Sequence, residues 1–179
     1  SGEHTLNQLM AGYGGFNHNH QSYRIVTEIE QRYPQFPGLN LSWEVLEGIV
    51  KHETEYDKTD ALEFDSHLRG HLEAQITNIA DEMAYTAHDL DDGLRSGMIN
   101  AGMLAGMPLW EVLVESIHWK GPLLDDLTRH RLIRRLIGMA VSDIIDQTDA
   151  TIRKSGVSSV LELQKLPYNV VSFSEENRR

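Results

Sequence analysis

The 179-residue chain has no cysteine, which excludes disulfide frameworks, thiol nucleophiles and Cys-based zinc sites. A thiol-free chain fits a reducing compartment, and a cytoplasmic location is the expectation. No apolar run approaches the roughly 18 residues that a membrane span requires, and the N-terminal residues lack a signal-peptide pattern. Positive charge is also scarce: 16 Lys and Arg stand against 27 Asp and Glu, for a net charge of −11. Broad nucleic-acid surfaces need clustered Lys and Arg, so nucleic acid is disfavoured as a partner, with a role as an effector left open. An acidic protein binds a polyanion only through a local cationic cluster or a divalent ion. Sustained strand alternation, internal repeats and low-complexity tracts are absent too.

With 40% apolar residues, 24% charged residues and three Trp, the chain reads as globular, and its length suits one sizeable domain. It is mainly helical in pattern. The organising stretch is Leu72 to Asp92, LEAQITNIADEMAYTAHDLDD. At about 100° per residue, Leu72, Ile76, Ile79, Ala80, Met83, Ala87 and Leu90 share one arc of a helical wheel. Asn78, Asp81, Tyr85, Asp89 and Asp92 share the opposite arc, and Asp81, Tyr85 and Asp89 follow one another at i, i+4, i+8. On pattern alone this is a solvated acidic face; the alternative is one wall of a metal and phosphate site.

The rest of the chain divides around that helix. Ser1 to Tyr13 reads as a helix with Leu6, Leu9, Met10 and Tyr13 on one side, broken by Gly14-Gly15. A second helix begins through His18 and Asn19 and carries Tyr23, Ile25, Val26 and Ile29. PQFPGLN is a loop. Ser42 is placed to cap a third helix with Trp43, Leu46, Ile49 and Val50 inward, ending near Lys51-His52. Glu53 to Arg69 is a polar, exposed connection. After Asp92, four glycines favour short pieces. Pro108 suits the first turn of a helix with Leu109, Val112, Leu113, Ile117 and Trp119. Asp125 to about Ile152 is a long helix burying Leu132, Leu136, Met139, Ile144 and Ile145. A short helix spans Val160 to Leu163, and NVVSF after Pro167 reads as β-like.

Candidate chemistry lies in Glu3 with His4, His18-Asn19-His20, Lys51-His52, the Asp81/Tyr85/Asp89 row and Arg129. Such a set suits metal-assisted phosphoester hydrolysis: an Asp with imidazoles holds a cation, a His or Glu moves protons, Lys and Arg offset phosphate charge, and a Tyr ring packs on a sugar. Taken singly, each of these residues is more often structural or solvated.

Four phrases, GGFNHNHQSYRIVTEIE, RYPQFPGLNLSWEVLEGIVKH, LEAQITNIADEMAYTAHDLDDGL and RRLIGMAVSDIIDQT, together resemble the deoxyguanosine triphosphate triphosphohydrolases (dGTPases) of the HD-domain phosphohydrolase superfamily. The resemblance implies an all-α fold, a multi-helix HD-domain-like bundle. It implies hydrolysis of a deoxynucleoside triphosphate to deoxynucleoside plus inorganic triphosphate, with a divalent metal of the Mg, Mn, Co, Fe or Zn class. Carried over residue by residue, Asp81 is a metal ligand, Tyr85 and Asp89 contact the deoxyribose, and Arg129 contacts phosphate. His18 lies near the phosphates, and Glu3 follows the family's HD stretch and assists catalysis. Lys51 and His52 lie in a shared phrase without an assigned role.

One departure accompanies these matches. The family's first metal His, its His-Asp pair and the catalytic His before SGE are not in this sequence, which begins without Met. The expectation is a fragment truncated on its N-terminal side. Without the family's N-terminal helices, apolar surface around Leu72–Leu90 would be exposed, and a homo-oligomer is the expectation. Residues 1–154 would be the C-terminal portion of the catalytic domain, and residues 155–179 the start of a C-terminal region. The isolated chain would be inactive. The alternative is a non-catalytic HD-like nucleotide-binding or assembly module.

Overall fold

The computed structural model describes residues 2–52, 63–121 and 123–177. Among these, the chain forms eight α-helices and no strand, so the fold is all-α. It divides into two compact units, one of residues 1–78 with 156–170 and one of residues 79–155 with 171–179.

The first unit opens with α1 (Gly2–Leu9) and a 3-10 turn at Ala11–Tyr13, in place of one helix through Tyr13. Two consecutive glycines of positive φ, Gly14 and Gly15, end it. α2 (His18–Arg24) starts at Asn17, whose side chain accepts the His20 N–H. It then widens into a π-helical turn at Ile25–Ile29. The PQFPGLN loop closes on Gly38, where φ is +71° and an added Cβ would stand 2.3 Å from the Thr27 carbonyl oxygen. Only glycine fits there.

α3 (Trp43–Val50) follows Ser42, which has the N-cap position but makes no capping side-chain bond. Its inward residues differ from the apolar reading: Val50 is buried, but so are Glu47 and Lys51, while Trp43 is half exposed. The cause is a polar network. Lys51 Nζ donates to Glu47 Oε1 at 2.7 Å and to the Leu68 carbonyl at 2.9 Å. Gln164 Nε2, from α8 (Val160–Gln164), donates to Glu47 Oε2 and to the Arg69 carbonyl, both at 3.0 Å. Arg69 in turn grips the turn after α8 through the carbonyls of Leu166 and Pro167.

Of the Glu53–Arg69 connection, residues 53–62 lie outside the described part. The remainder corrects the exposed reading at one point: Phe64 is buried against Trp43 at 4.5 Å and Tyr23 at 6.4 Å. NVVSF is not a strand. Val170 is buried, and its N–H is satisfied by the Gln75 side chain at 2.8 Å instead of a β-ladder.

α4 (Leu72–Ser96) runs from the first unit into the second. Its first turns bury Ala74 and Gln75 and leave Ile76 exposed, because Gln75 is needed to bond Gly70 and Val170. Farther along, Ala87 is buried as the wheel requires.

The second unit also contains α5 (Ala101–Leu104), α6 (Pro108–Ser116) and α7 (Asp126–Ser155). Its core is Trp110, Leu113, Ile117 and Leu132, with Leu136 and Met139 packed against it. Pro108 takes the first turn of α6 as expected, but Leu109 and Val112 are exposed and Trp110 is the buried member of that turn. In α7, Leu132 and Ile144 are buried, whereas Ile145 is 60% exposed.

The Glu47 network yields a test. Lys51→Met should destabilise the chain by about 3–5 kcal/mol, the cost of leaving a buried carboxylate without its cation. Adding Glu47→Leu should restore most of that loss. Urea unfolding followed by tryptophan fluorescence measures both, and a Lys51→Met shift within about 0.5 kcal/mol of wild type would refute the network's role.

Candidate functional site

Two candidate groups lie in the first unit. Glu3 is in the opening turn of α1 and His18 is the first residue of α2. Glu3 Oε1 accepts the His18 N–H at 2.9 Å, and both Glu3 oxygens lie 3.0–3.1 Å from His18 Nδ1. The carboxylate therefore sits at the positive end of α2, where an anion is favoured. The His18 N–H holds the Glu3 carboxyl below the ordinary carboxylate range; burial opposes this, and the ring's hydrogen bond and charge reinforce it. The two contacts from Nδ1 to the Glu3 carboxylate fix the orientation of the His18 ring. This is the geometry of an oriented acid–base group.

Asn19, next to His18, is 2% exposed and donates to the His52 carbonyl at 2.6 Å. The His52 ring meets Asn78 Oδ1, also at 2.6 Å. His52 and Lys51, without a role by sequence, are thus bonded into the scaffold that holds α2, α3 and the start of α4. Asn17 was not among the candidate residues. For Asn17 the signal was present, since an Asn just before a helical stretch is a favoured cap.

In the second unit, Asp81, Tyr85 and Asp89 follow one another on the exposed side of α4. Tyr85 is 70% exposed, so the ring presents an apolar face to solvent. At about 1.5 Å per residue the row spans roughly 12 Å of rigid helix. Arg129 differs from them. It is buried in α7, its Nη1 bonded to Asp91 Oδ1 and its Nη2 3.4 Å from Asp126 Oδ1 and 3.0 Å from His130 Nε2. Asp91 is two residues beyond Asp89, about 200° around the helix, so Arg129 is bound on a different flank of α4 from the acidic row. Asp91 was missed by sequence reading: one acid within DLDD carries no mark that pairs it with an arginine 38 residues later.

Among the described residues, no three His, Asp or Glu side chains converge to hold a metal ion. Asp81 offers a single exposed carboxylate, whereas divalent transition metals take three or four protein ligands. These residues do not by themselves fit a metal site.

No helix of the described residues is long and apolar enough to cross a membrane. No family model matches the chain. It is 46% identical to a deoxyguanosinetriphosphate triphosphohydrolase-like protein of Geobacter sulfurreducens, an alignment covering 100% of this chain and 48% of the relative. A protein of the same name from Geobacter metallireducens is 44% identical over 100% of the chain and 48% of its own length. One from Deinococcus deserti is 42% identical over 97% of the chain and 43% of its own length. The chain thus spans about half the length of the curated relatives it matches. Identity at this level, held over all or nearly all of the chain, places it in the family of deoxyguanosinetriphosphate triphosphohydrolase-like proteins.

Proposed function

We propose that this chain supplies the sugar- and phosphate-holding part of a cytoplasmic, metal-dependent deoxynucleoside triphosphate triphosphohydrolase. Such an enzyme would split a dGTP-like substrate into deoxynucleoside and inorganic triphosphate. The full-chain similarity to triphosphohydrolase-like proteins carries this reading, and the Glu3–His18 pair supports it. In this reading residues 1–154 belong to the catalytic domain and residues 155–179 open a C-terminal region.

Glu3 accepts the His18 N–H and the Nδ1 proton, so that Nε2 is the atom that gives or takes a proton beside the phosphates. The Tyr85 ring packs on the deoxyribose where a 2′-hydroxyl would crowd it, and Asp89, one turn on, accepts a hydrogen bond from the sugar. Arg129 donates to a phosphoryl oxygen. Asp81 is one carboxylate ligand of a divalent metal. Exposed Leu9 of α1 and Tyr13 of the 3-10 turn after it form part of the contact surface of a homo-oligomer.

Asp81→Ala in the whole protein should lower metal content and cut dGTP turnover by at least about a hundredfold, since even outer-sphere partners of a metal are worth about 10- to 100-fold. Unchanged metal content and turnover would defeat the assignment. Tyr85→Ala should narrow the preference for dGTP over GTP, read as the ratio of the two kcat/KM values; an unaltered ratio removes the ring from sugar selection. The 179-residue chain by itself should release no triphosphate from dGTP with Mg²⁺, Mn²⁺ or Co²⁺, and robust turnover would overturn that. A nucleotide-binding module without chemistry predicts dGTP binding and no turnover in the whole protein as well.

The Glu3 contact has a pH signature. A carboxyl whose folded value lies below its unfolded value stabilises fully above the ordinary carboxylate range, and loses that contribution as pH falls through the lowered folded value. Glu3→Gln should therefore cost about 1 kcal/mol near neutrality, a charge-assisted bond discounted for partial exposure. The difference from wild type should vanish in acid. Urea midpoints measured from pH 7 down to pH 3 test this, and a pH-independent difference would contradict it.

A further inference from the structure

Among the described residues, Arg129 is the most deeply buried cation of the second unit, at 6% exposure. Its three neighbours are unequal. The Asp126 side chain is 90% exposed, so its charge is solvated. His130 Nε2 accepts only while the ring is neutral with its proton on Nδ1. Asp91, 26% exposed and bonded to Nη1, is the neighbour that compensates the guanidinium. It comes from α4, not from Arg129's own helix, so the direction of the arginine fork is set across two elements of one unit.

The fork is also incompletely satisfied. Nε is buried and has no hydrogen-bond partner among the described residues. The same side chain lines a cavity of about 380 Å³ together with Arg95, Gly97, Asn100 and Gly102. A second cation, Arg95, therefore borders the space beside the buried one. Asp126 also borders it and opposes an anion, but as an exposed side chain it is screened by water.

We propose that Asp91 is the positioning residue for Arg129, holding the fork so that the guanidinium, with Arg95, meets the phosphate chain of a nucleotide in this cavity. A planar guanidinium with one arm fixed cannot swing to a new partner, and its other donors keep their direction. The buried charge stays compensated whether or not a phosphate is present. This rests on the reading of Arg129 as a phosphate contact and adds Asp91 and Arg95 to it.

The test compares wild-type whole protein with Asp91→Asn, Asp91→Glu, Arg129→Gln and the Asp91→Asn/Arg129→Gln double variant. Binding of inorganic tripolyphosphate is measured by calorimetry, and KM and kcat with dGTP. Asp91→Asn should weaken tripolyphosphate binding and raise KM by about tenfold, with kcat changed much less. Asp91→Glu should recover part of the loss. In the Arg129→Gln background Asp91→Asn should add nothing, since both act on one group. A lower Tm with unchanged tripolyphosphate affinity in Asp91→Asn, while Arg129→Gln binds weakly, would overturn the positioning role and leave the phosphate contact standing. Unchanged affinity in Arg129→Gln would overturn the phosphate contact itself and the inference with it. Should Asp91→Asn fail to fold, Asp91→Glu decides: a folded variant with weakened binding supports the role, and one with wild-type binding refutes it.

Discussion

The Glu47 carboxylate is the point on which the first unit depends. It is 8% exposed and takes Lys51 on one oxygen and Gln164 on the other. A buried carboxylate is costly unless both its charge and its lone pairs are answered. Here the answers come from one turn along α3 and from a residue 117 positions away. Gln164 extends the answer to the Arg69 carbonyl, and Arg69 clamps the turn at Leu166 and Pro167. The segment 156–170 is thus returned to the N-terminal part by directed bonds, with a modest apolar contribution from Leu163 and Val170. Directed bonds fix a register that apolar packing of so few side chains would leave loose.

The same logic operates in the second unit with the signs exchanged. There a buried cation, Arg129, is answered by Asp91, while an apolar core of Trp110, Leu113, Ile117 and Leu132 supplies most of the burial. One buried charge is a scaffold joint and the other borders a cavity. The distinction lies in satisfaction. Lys51 is matched to a carboxylate and a carbonyl, whereas Arg129 retains a buried donor without a partner among the described residues. Buried polar groups left unmatched are where function is worth seeking.

What was legible in the sequence follows from the range of the interactions. Helix existence was legible, because period and caps are local: Asn17 and Pro108 mark starts, and α4 and α7 run where their patterns run. The inward face was read less well wherever a polar residue had a distant partner. Gln75 displaced Ile76 from the interior because Val170, 95 residues on, needed an acceptor. NVVSF has strand-forming residues, yet no strand forms among the described residues, since a side chain and not a neighbouring strand meets the Val170 N–H. The Asp81/Tyr85/Asp89 row was legible as a row because it lies on one helix. Asp91 was not, because its meaning resides in α7.

These placements change how the candidate residues divide. Glu3 and Asp91 are both carboxylates whose first structural effect is to orient another side chain, His18 in one unit and Arg129 in the other. Asp81, Tyr85 and Asp89 have their spacing set by the backbone of a 25-residue helix. The first kind of residue sets direction and protonation; the second sets distance. A reaction on a phosphate chain attached to a sugar needs both, since a donor correctly aimed but an ångström misplaced loses most of its effect. The exposure of the row and the burial of Arg129 fit that division under the proposed function: an open row can receive a ligand, while an arginine that holds its direction must be packed to keep it.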